Sequence, residues 1–530
     1  MTPLEQHEAG TAGLDGQRFD AVVIGGGILG AGVARELSRR GQRPLLVERR
    51  DFSWGTTARS TRLIHGGLRY LANYDLGLVR EGLRERAWLL RSAPNLVTPL
   101  LFLLPFHGTP AWERLRLRAG LSLYDVLSPR GSLPRHRMLS PTELIRLEPA
   151  LSRHRLLGAA SYWDAQVELP ERLVLGALRA AADAGAEIRN HVAATGLVLE
   201  RGGVSGVRLA GVLDGEEATV GTWRVVNASG PWADVTLDEM GITHDPILRL
   251  TQGIHLVYPR LAEHAVAFEH PADGRLCFAI PWQGQTMVGT TETDLSGAPD
   301  DARVLPREVE YLQEAVALCF PGSAGVRPLW GSVGVRSLMR KEGIAGSISR
   351  RHLVIQHTRD GAAGLLTVAG GKLTAWRSIS ADVVDVVLGE KDRSALRGAV
   401  IASGRERPRL PSGLEASAGR LWRIYGARAE EVASLAAEDP WWSEPLLPGR
   451  AALRAEVPYA VQQEWAQTLG DVVLRRLALG FGADLGRAAA EAVAEVAVAA
   501  FGWDRERAAS ELRAFDAENA ERRLPEQGPR

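Results

Sequence analysis

The chain has 530 residues, 45% hydrophobic and 24% charged, the balance of an ordinary globular protein with a large core and about two to four domains. Lys plus Arg equals Asp plus Glu at 63 each, so the formal net charge is zero, which argues against a nucleic-acid binder driven by bulk charge. Two cysteines, Cys277 and Cys319, each beside a phenylalanine, supply neither a disulfide framework nor zinc spacing, and they read as buried thiols in a reducing compartment.

Residues 1–17, MTPLEQHEAGTAGLDGQ, have neither a basic start nor an apolar run, so no secretory signal is expected. FDAVVI at 19–24 predicts a strand. GGGILG follows, with Gly25, Gly27 and Gly30 at dinucleotide spacing, then a helical AGVARELSRRG stopped by Gly41, then PLLVE ending in Glu48. Gly25 suits a tight turn, Gly27 a backbone approach to a diphosphate, Gly30 close helix–strand packing, and Glu48 the ribose hydroxyls. The helix N-terminus then faces the diphosphate. An NAD dehydrogenase continues with regular βαβ units. Here the second strand runs into RRDFSWGTTARSTRLIHGGLRYL, rich in Gly, Ser and Thr, which suits a strip along a permanently held cofactor and favours FAD.

No run reaches the roughly 18 apolar residues of a spanning helix. Residues 96–106, LVTPLLFLLPF, read as a core strand or strand-turn, with a membrane-surface wedge as the alternative. ERLRLRAGL at 113–121 reads as a basic helix, facing either solvent or a bilayer. Residues 171–188 predict an amphipathic helix entering a strand, and 197–226 a meander turning at Gly202-Gly203 and Asp214-Gly215. Residues 248–294 hold short strands suited to an antiparallel sheet carrying the substrate. Residues 365–388 give a strand, a second glycine turn and a helix. SGRERPRLPSGL at 402–413 reads as a linker and 414–530 as a helical domain, with a polar tail after about 505 expected to fray.

GTTARSTRLIHGGLRYL resembles the signature of the FAD-dependent glycerol-3-phosphate dehydrogenases. VVNASGPWAD at 225–234, LRLTQGIHLVYP at 248–259, GRLCFAIPW at 274–282, MVGTTETD at 287–294, GSVGVRSL at 331–338 and VAGGKLTAWR at 368–377 resemble its other motifs in order. The resemblance is clear over residues 18–390 and weaker beyond. It implies an α/β fold: a Rossmann-like FAD-binding domain of the glutathione-reductase/D-amino-acid-oxidase type from 18–95, 155–245 and 325–390. An antiparallel-sheet substrate domain from 96–154 and 246–324 and a helical domain at 414–530 complete it.

The implied reaction is oxidation of the C2 alcohol of sn-glycerol 3-phosphate to dihydroxyacetone phosphate, with hydride transfer to flavin N5 and electrons passed to a quinone. Molecular oxygen as acceptor, or another 2-hydroxy acid or amine as substrate, are the alternatives. The family pattern falls on Arg69, Arg336, Arg350 and Lys372 as phosphate cations, arginine being the preferred fork for that group, and on Tyr70 as a substrate hydrogen-bonder. Arg336 also counts as catalytic. His65 and His255 are the candidate bases, and the sequence does not decide between them.

Cofactor contacts are expected from Gly25, Gly27, Gly30, Glu48, Ser60, Thr61, Arg62, Leu63, His65, Gly66 and Gly67. Ser229, Gly230, Trp232, Gly371, Lys372, Leu373 and Thr374 join them, the last four directing a helix start at the flavin. Gly66 and Gly67 are expected to clear the flavin face. No metal is expected. The family commonly has lysine where Arg62 and Gln252 stand. The implied partners are glycerol 3-phosphate, a quinone and a membrane surface, without nucleic acid and compatibly with a homodimer. The implied location is cytoplasmic, with peripheral attachment at the cytoplasmic membrane face as its variant.

Overall fold

A computed structural model describes residues 10–71, 75–340, 352–392 and 411–525, and of Arg69 and Tyr70 the backbone alone. A six-stranded sheet runs in the order Leu353–Gln356, Leu365–Ala369, Val225–Asn227, Ala21–Ile24, Pro44–Glu48, Glu187–Asn190. It is parallel except for its first pair. The central strands Ala21–Ile24, Pro44–Glu48 and Leu365–Ala369 are mostly apolar because both faces are covered. Ala21 and Val23 face the helices Ile28–Arg39, Pro170–Ala182 and Trp376–Leu388. Val22 and Ile24 face a three-stranded sheet, Val192–Glu200, Gly203–Gly211 and Glu217–Gly221, which is the expected meander. Gly32 lets two of the helices close on each other, since a Cβ there would lie 2.8 Å from the Trp376 ring.

The second large sheet has ten strands and is antiparallel apart from one pair, Ala265–Glu269 with Val97–His107. Two of its strands come from segments expected to belong to the flavin-binding domain. Leu156–Val167 pairs along Val97–His107, and Trp330–Met339 pairs over its whole length with Leu248–Pro259. Apolar runs announce a strand but not its sheet, which pairing across distant chain segments decides. The 96–106 stretch is therefore a sheet strand and not a surface wedge. The helix Ala111–Leu127 that follows buries only Leu121 and Tyr124. Cys277 and Cys319 are buried and unpaired, and burial pushes the Cys277 thiol up to about 12.

The C-terminal region is helical, from Glu415–Tyr425 to Arg505–Ala520. Of the expected linker, residues 402–410 lie outside the described residues. Where a polar, frayed tail was expected, the helix Arg505–Ala520 buries Phe515 and Asn519; residues 526–530 lie outside the described residues. A buried ionic junction fixes this domain to the first. Asp51, 1% exposed, accepts from Arg475 Nε, Arg476 Nη1 and Nη2 and Asn190 Nδ2. Arg172 pairs bidentately with Glu464.

Candidate active site

The first glycine turn joins the strand Ala21–Ile24 to the helix Ile28–Arg39. Gly25 has φ +110°, and a Cβ there would meet Ala228 O at 2.7 Å; a Cβ on Gly30 would run into Gly25 O. Gly27 differs: the nearest atom to its Cβ position is Thr57 Oγ1 at 3.5 Å, so its backbone stays open to a ligand. Thr57 Oγ1 also accepts from Ile28 N at the helix start, 3.2 Å. Glu48 is anchored by Gly26 N on one oxygen, 2.6 Å, and Arg50 N on the other, 2.8 Å. Burial pushes its pKa up against those two donors. Ser229 is fixed by Asn227, Gly230 has φ +63°, and Trp232 leans on Trp54 with ring centroids 6.0 Å apart.

The strip 55–67 leads from that turn to a second one. Leu63–Ile64 adds to the edge of the ten-stranded sheet. His65 N then donates to Thr374 Oγ1, 3.1 Å, which ties the strip to the Gly370–Gly371 turn, where φ is +73° and +112°. A 3₁₀ turn, Leu373–Ala375, precedes the helix Trp376–Leu388.

A Cβ on Gly66 would collide with Leu83 and the Tyr124 hydroxyl. Its bareness serves packing against the helix Leu76–Ser92; Gly67 is required by its φ of +79°. Arg62 has φ +59° and is 4% exposed. Its guanidinium pairs bidentately with Glu171 and lies 4.7 Å from the Trp282 ring. The left-handed backbone breaks the alternation of the strip and turns Arg62 to the interior, where it ties elements together.

The chemistry-bearing face belongs to the long sheet pair. In register, Thr251 faces Arg336, Gly253 faces Gly334 and His255 faces Ser332, so the three pairs share one side of the sheet. The Gly253 Cβ position overlaps the Arg336 guanidinium, that of Gly289 overlaps the His255 ring, and that of Gly334 is 2.7 Å from Arg59 O. Three glycines thus let two large polar side chains and the strip lie flat on this face.

His255 Nε2 is 3.0 Å from Thr61 Oγ1, and Nδ1 is buried without a hydrogen-bond partner among the described residues. Burial first, then the charges of Arg336 and Arg62, lowers its pKa to about 3. The ring is neutral at pH 7 and able to accept a proton. Arg336 donates to Thr290 Oγ1 at 2.8 Å, Thr291 O at 3.1 Å and Gln252 O at 3.4 Å.

The fold thus gathers Thr61, His255 and Arg336, and it links His65 to Thr374 beside Lys372. The side chains of Arg69 and Tyr70, and all of Arg350, lie outside the described residues. Gln252, where lysine is common, is 3% exposed and turns to Glu308 at 2.8 Å and Arg303 O at 3.0 Å. Sequence reading passed over Thr57, Thr290, Glu308 and Asp164. Asp164, 1% exposed, accepts from Gly66 N, Arg86 and Tyr124 beneath the strip. The GTT run holding Thr57 and the TTETD run holding Thr290 were the available signals; nothing local marks Glu308 or Asp164.

Residues 20–377 match a family model described as FAD dependent oxidoreductase, and 393–508 match the C-terminal domain of alpha-glycerophosphate oxidase. The chain is 35% identical over 532 residues to a glycerol-3-phosphate dehydrogenase of Synechocystis, covering 94% of this chain and 95% of that one. It is 33% identical over 495 residues to an aerobic glycerol-3-phosphate dehydrogenase of Staphylococcus aureus, covering 87% of each. A crystal structure of the Bacillus halodurans glycerol-3-phosphate dehydrogenase complexed with FAD superposes with a TM-score of 0.77 at 26% identity, covering 98% of this chain and 97% of that one.

Proposed function

This chain belongs to the FAD-dependent oxidoreductase family, with the glycerol-3-phosphate dehydrogenases, and we propose that it oxidises sn-glycerol 3-phosphate to dihydroxyacetone phosphate. The observation that carries the reading is a neutral histidine and a fixed arginine on one sheet face, with a glycine pair between them. The residues of the glycine turn fit FAD: the open Gly27 backbone and helix start suit its diphosphate, and Glu48 suits its ribose. When bound, FAD supplies the acceptor for the hydride lost from C2.

The protein's own residues supply the rest. With its proton on Nδ1, His255 presents Nε2 as acceptor and exchanges the Thr61 hydrogen bond for the proton of the C2 hydroxyl. Arg336, oriented by Thr290, Thr291 and Gln252, offers charge to the phosphate or the developing oxyanion. Arg69, Tyr70, Arg350 and Lys372 complete the proposed substrate site, and His65 sits between it and the cofactor.

The proposed acceptor is a quinone reached at the cytoplasmic face of a membrane. The helix Ala111–Leu127 supports this reading. Trp112, Leu115 and Val126 are 60%, 67% and 79% exposed along one side of it, and Arg114, Arg116 and Arg118 alternate with them, the composition of an interfacial helix. No described helix is long and apolar enough to cross a membrane. Oxygen is the second reading, favoured by the match of residues 393–508 to an oxidase domain.

Anaerobic mixing of the FAD-loaded protein with glycerol 3-phosphate tests the reaction. The flavin absorbance is expected to bleach, and no bleaching would refute the substrate. Re-oxidation by a soluble quinone without comparable peroxide formation in air is expected; fast peroxide release would establish the oxidase reading instead.

A further inference from the structure

Resting on the reaction proposed above, we infer that Glu308 is a positioning residue that sets Arg336. Glu308 stands in the first turn of the helix Pro306–Cys319 and is 4% exposed. Its carboxylate accepts three hydrogen bonds: from Thr291 Oγ1 at 2.7 Å and Thr293 Oγ1 at 2.8 Å on one oxygen, and from Gln252 Nε2 at 2.8 Å on the other. Among the described residues no cation pairs with it. A buried carboxylate held by neutral donors alone adds little stability over an apolar side chain of the same size. What it orders is the better account of its presence.

Each donor leads to the site. Thr291 Oγ1, its proton given to Glu308, accepts from Ile254 N at 2.9 Å, the residue before His255. The carbonyl of the same Thr291 accepts from Arg336 Nη2. The carbonyl of Gln252 accepts from Arg336 Nη1, and the amide of Gln252 is pinned from its other side by Arg303 O and N. One carboxylate therefore fixes both main-chain carbonyls that hold the guanidinium, and with them the plane in which Arg336 meets the substrate.

The geometry requires an acceptor on both oxygens. A glutamine at 308 would set an NH₂ group either against Gln252 Nε2 or against the two threonine hydroxyls. Glu308→Gln is therefore close in shape but wrong in hydrogen-bond polarity.

The test is a double-mutant cycle read by anaerobic flavin reduction, with FAD content measured for each protein. Glu308→Gln is expected to lower kcat/KM for glycerol 3-phosphate by about 10- to 100-fold, chiefly through KM, at normal FAD content. In the Arg336→Ala background the same change is expected to alter kcat/KM by less than about twofold, because the residue it acts through is gone. Effects that multiply in that background, or a Glu308→Gln protein within about threefold of the parent, would overturn the inference. If Glu308→Gln does not fold, Thr291→Val, which keeps the carboxylate and the volume, carries the same cycle with the same two outcomes. A parent protein that glycerol 3-phosphate does not bleach would refute the reaction itself, whereas additivity in an active parent refutes only the role of Glu308.

Discussion

Protonation of His255 is the sharpest quantity that follows from the site. Burial and two nearby arginines place its pKa at about 3, against an ordinary 6.5. At pH 5 the two values predict opposite states: about 1% of His255 protonated for the first, about 97% for the second. Selective isotope labelling of histidine, with the His255 resonance assigned by His255→Gln, reads this directly. The resonance is expected to stay at its neutral position from pH 8 down to 5. A midpoint near 6.5 would refute the buried, arginine-flanked environment. The sign for stability follows from the same shift. The folded pKa lies below the unfolded one, so the stabilisation is fully present above pH 6.5 and is lost as pH falls from there toward 3. Its ceiling is about 5 kcal/mol, from 3.5 units at about 1.4 kcal/mol each. In catalysis, His255→Gln is expected to slow flavin reduction by about 10²- to 10⁴-fold with FAD retained; a loss under about threefold would remove His255 from the base role.

Arg336→Ala is expected to raise KM for glycerol 3-phosphate at least tenfold while leaving FAD content intact, the size of a lost charge-assisted hydrogen bond; loss of FAD instead would move that residue to the cofactor. Asp51→Asn leaves Arg476 with a neutral partner at a buried junction and Arg475 with Asp471 and Glu518 and is expected to cost about 3–5 kcal/mol in denaturant unfolding, with earlier proteolysis of the C-terminal domain; a change within 1 kcal/mol would contradict the junction. His191 works in the same place with the opposite sign. Burial lowers its pKa, but Asp471 and Asp51 outweigh burial and raise it, so its contribution is present below pH 6.5 and fades as pH climbs through the raised value. His191→Gln should flatten the alkaline part of a melting-temperature profile, and an unchanged profile would exclude it. Gly66→Ala drives a methyl group into Leu83 and Tyr124 and is expected to destabilise by about 1–3 kcal/mol, partly recovered by adding Leu83→Ala.

The sequence by itself determined the parts that depend on neighbours along the chain. A strand, a glycine turn with φ near +110°, a helix and a terminal carboxylate lie within 30 residues, and only glycine tolerates that backbone beside the Ala228 carbonyl. The same locality made the Gly370–Gly371 turn and the meander legible, and the ordered motifs carried the family. Tertiary structure decided what depends on pairing across distance and on exclusion of water. It assigned the strand Leu156–Val167 to the ten-stranded sheet, because its partner Val97–His107 lies some 60 residues earlier and register is a property of the pair. It turned Arg62 inward to Glu171, and it showed Gly66 bare for the sake of the helix Leu76–Ser92. It set the environment of His255: a sheet register puts its ring beside Gly289 and Thr61 and under two arginines, and burial there, which no residue type encodes, lowers its pKa. Glu308 is the extreme case. Its three donors stand 15 to 56 residues away in sequence, and only the packed sheet and helix bring them to one carboxylate.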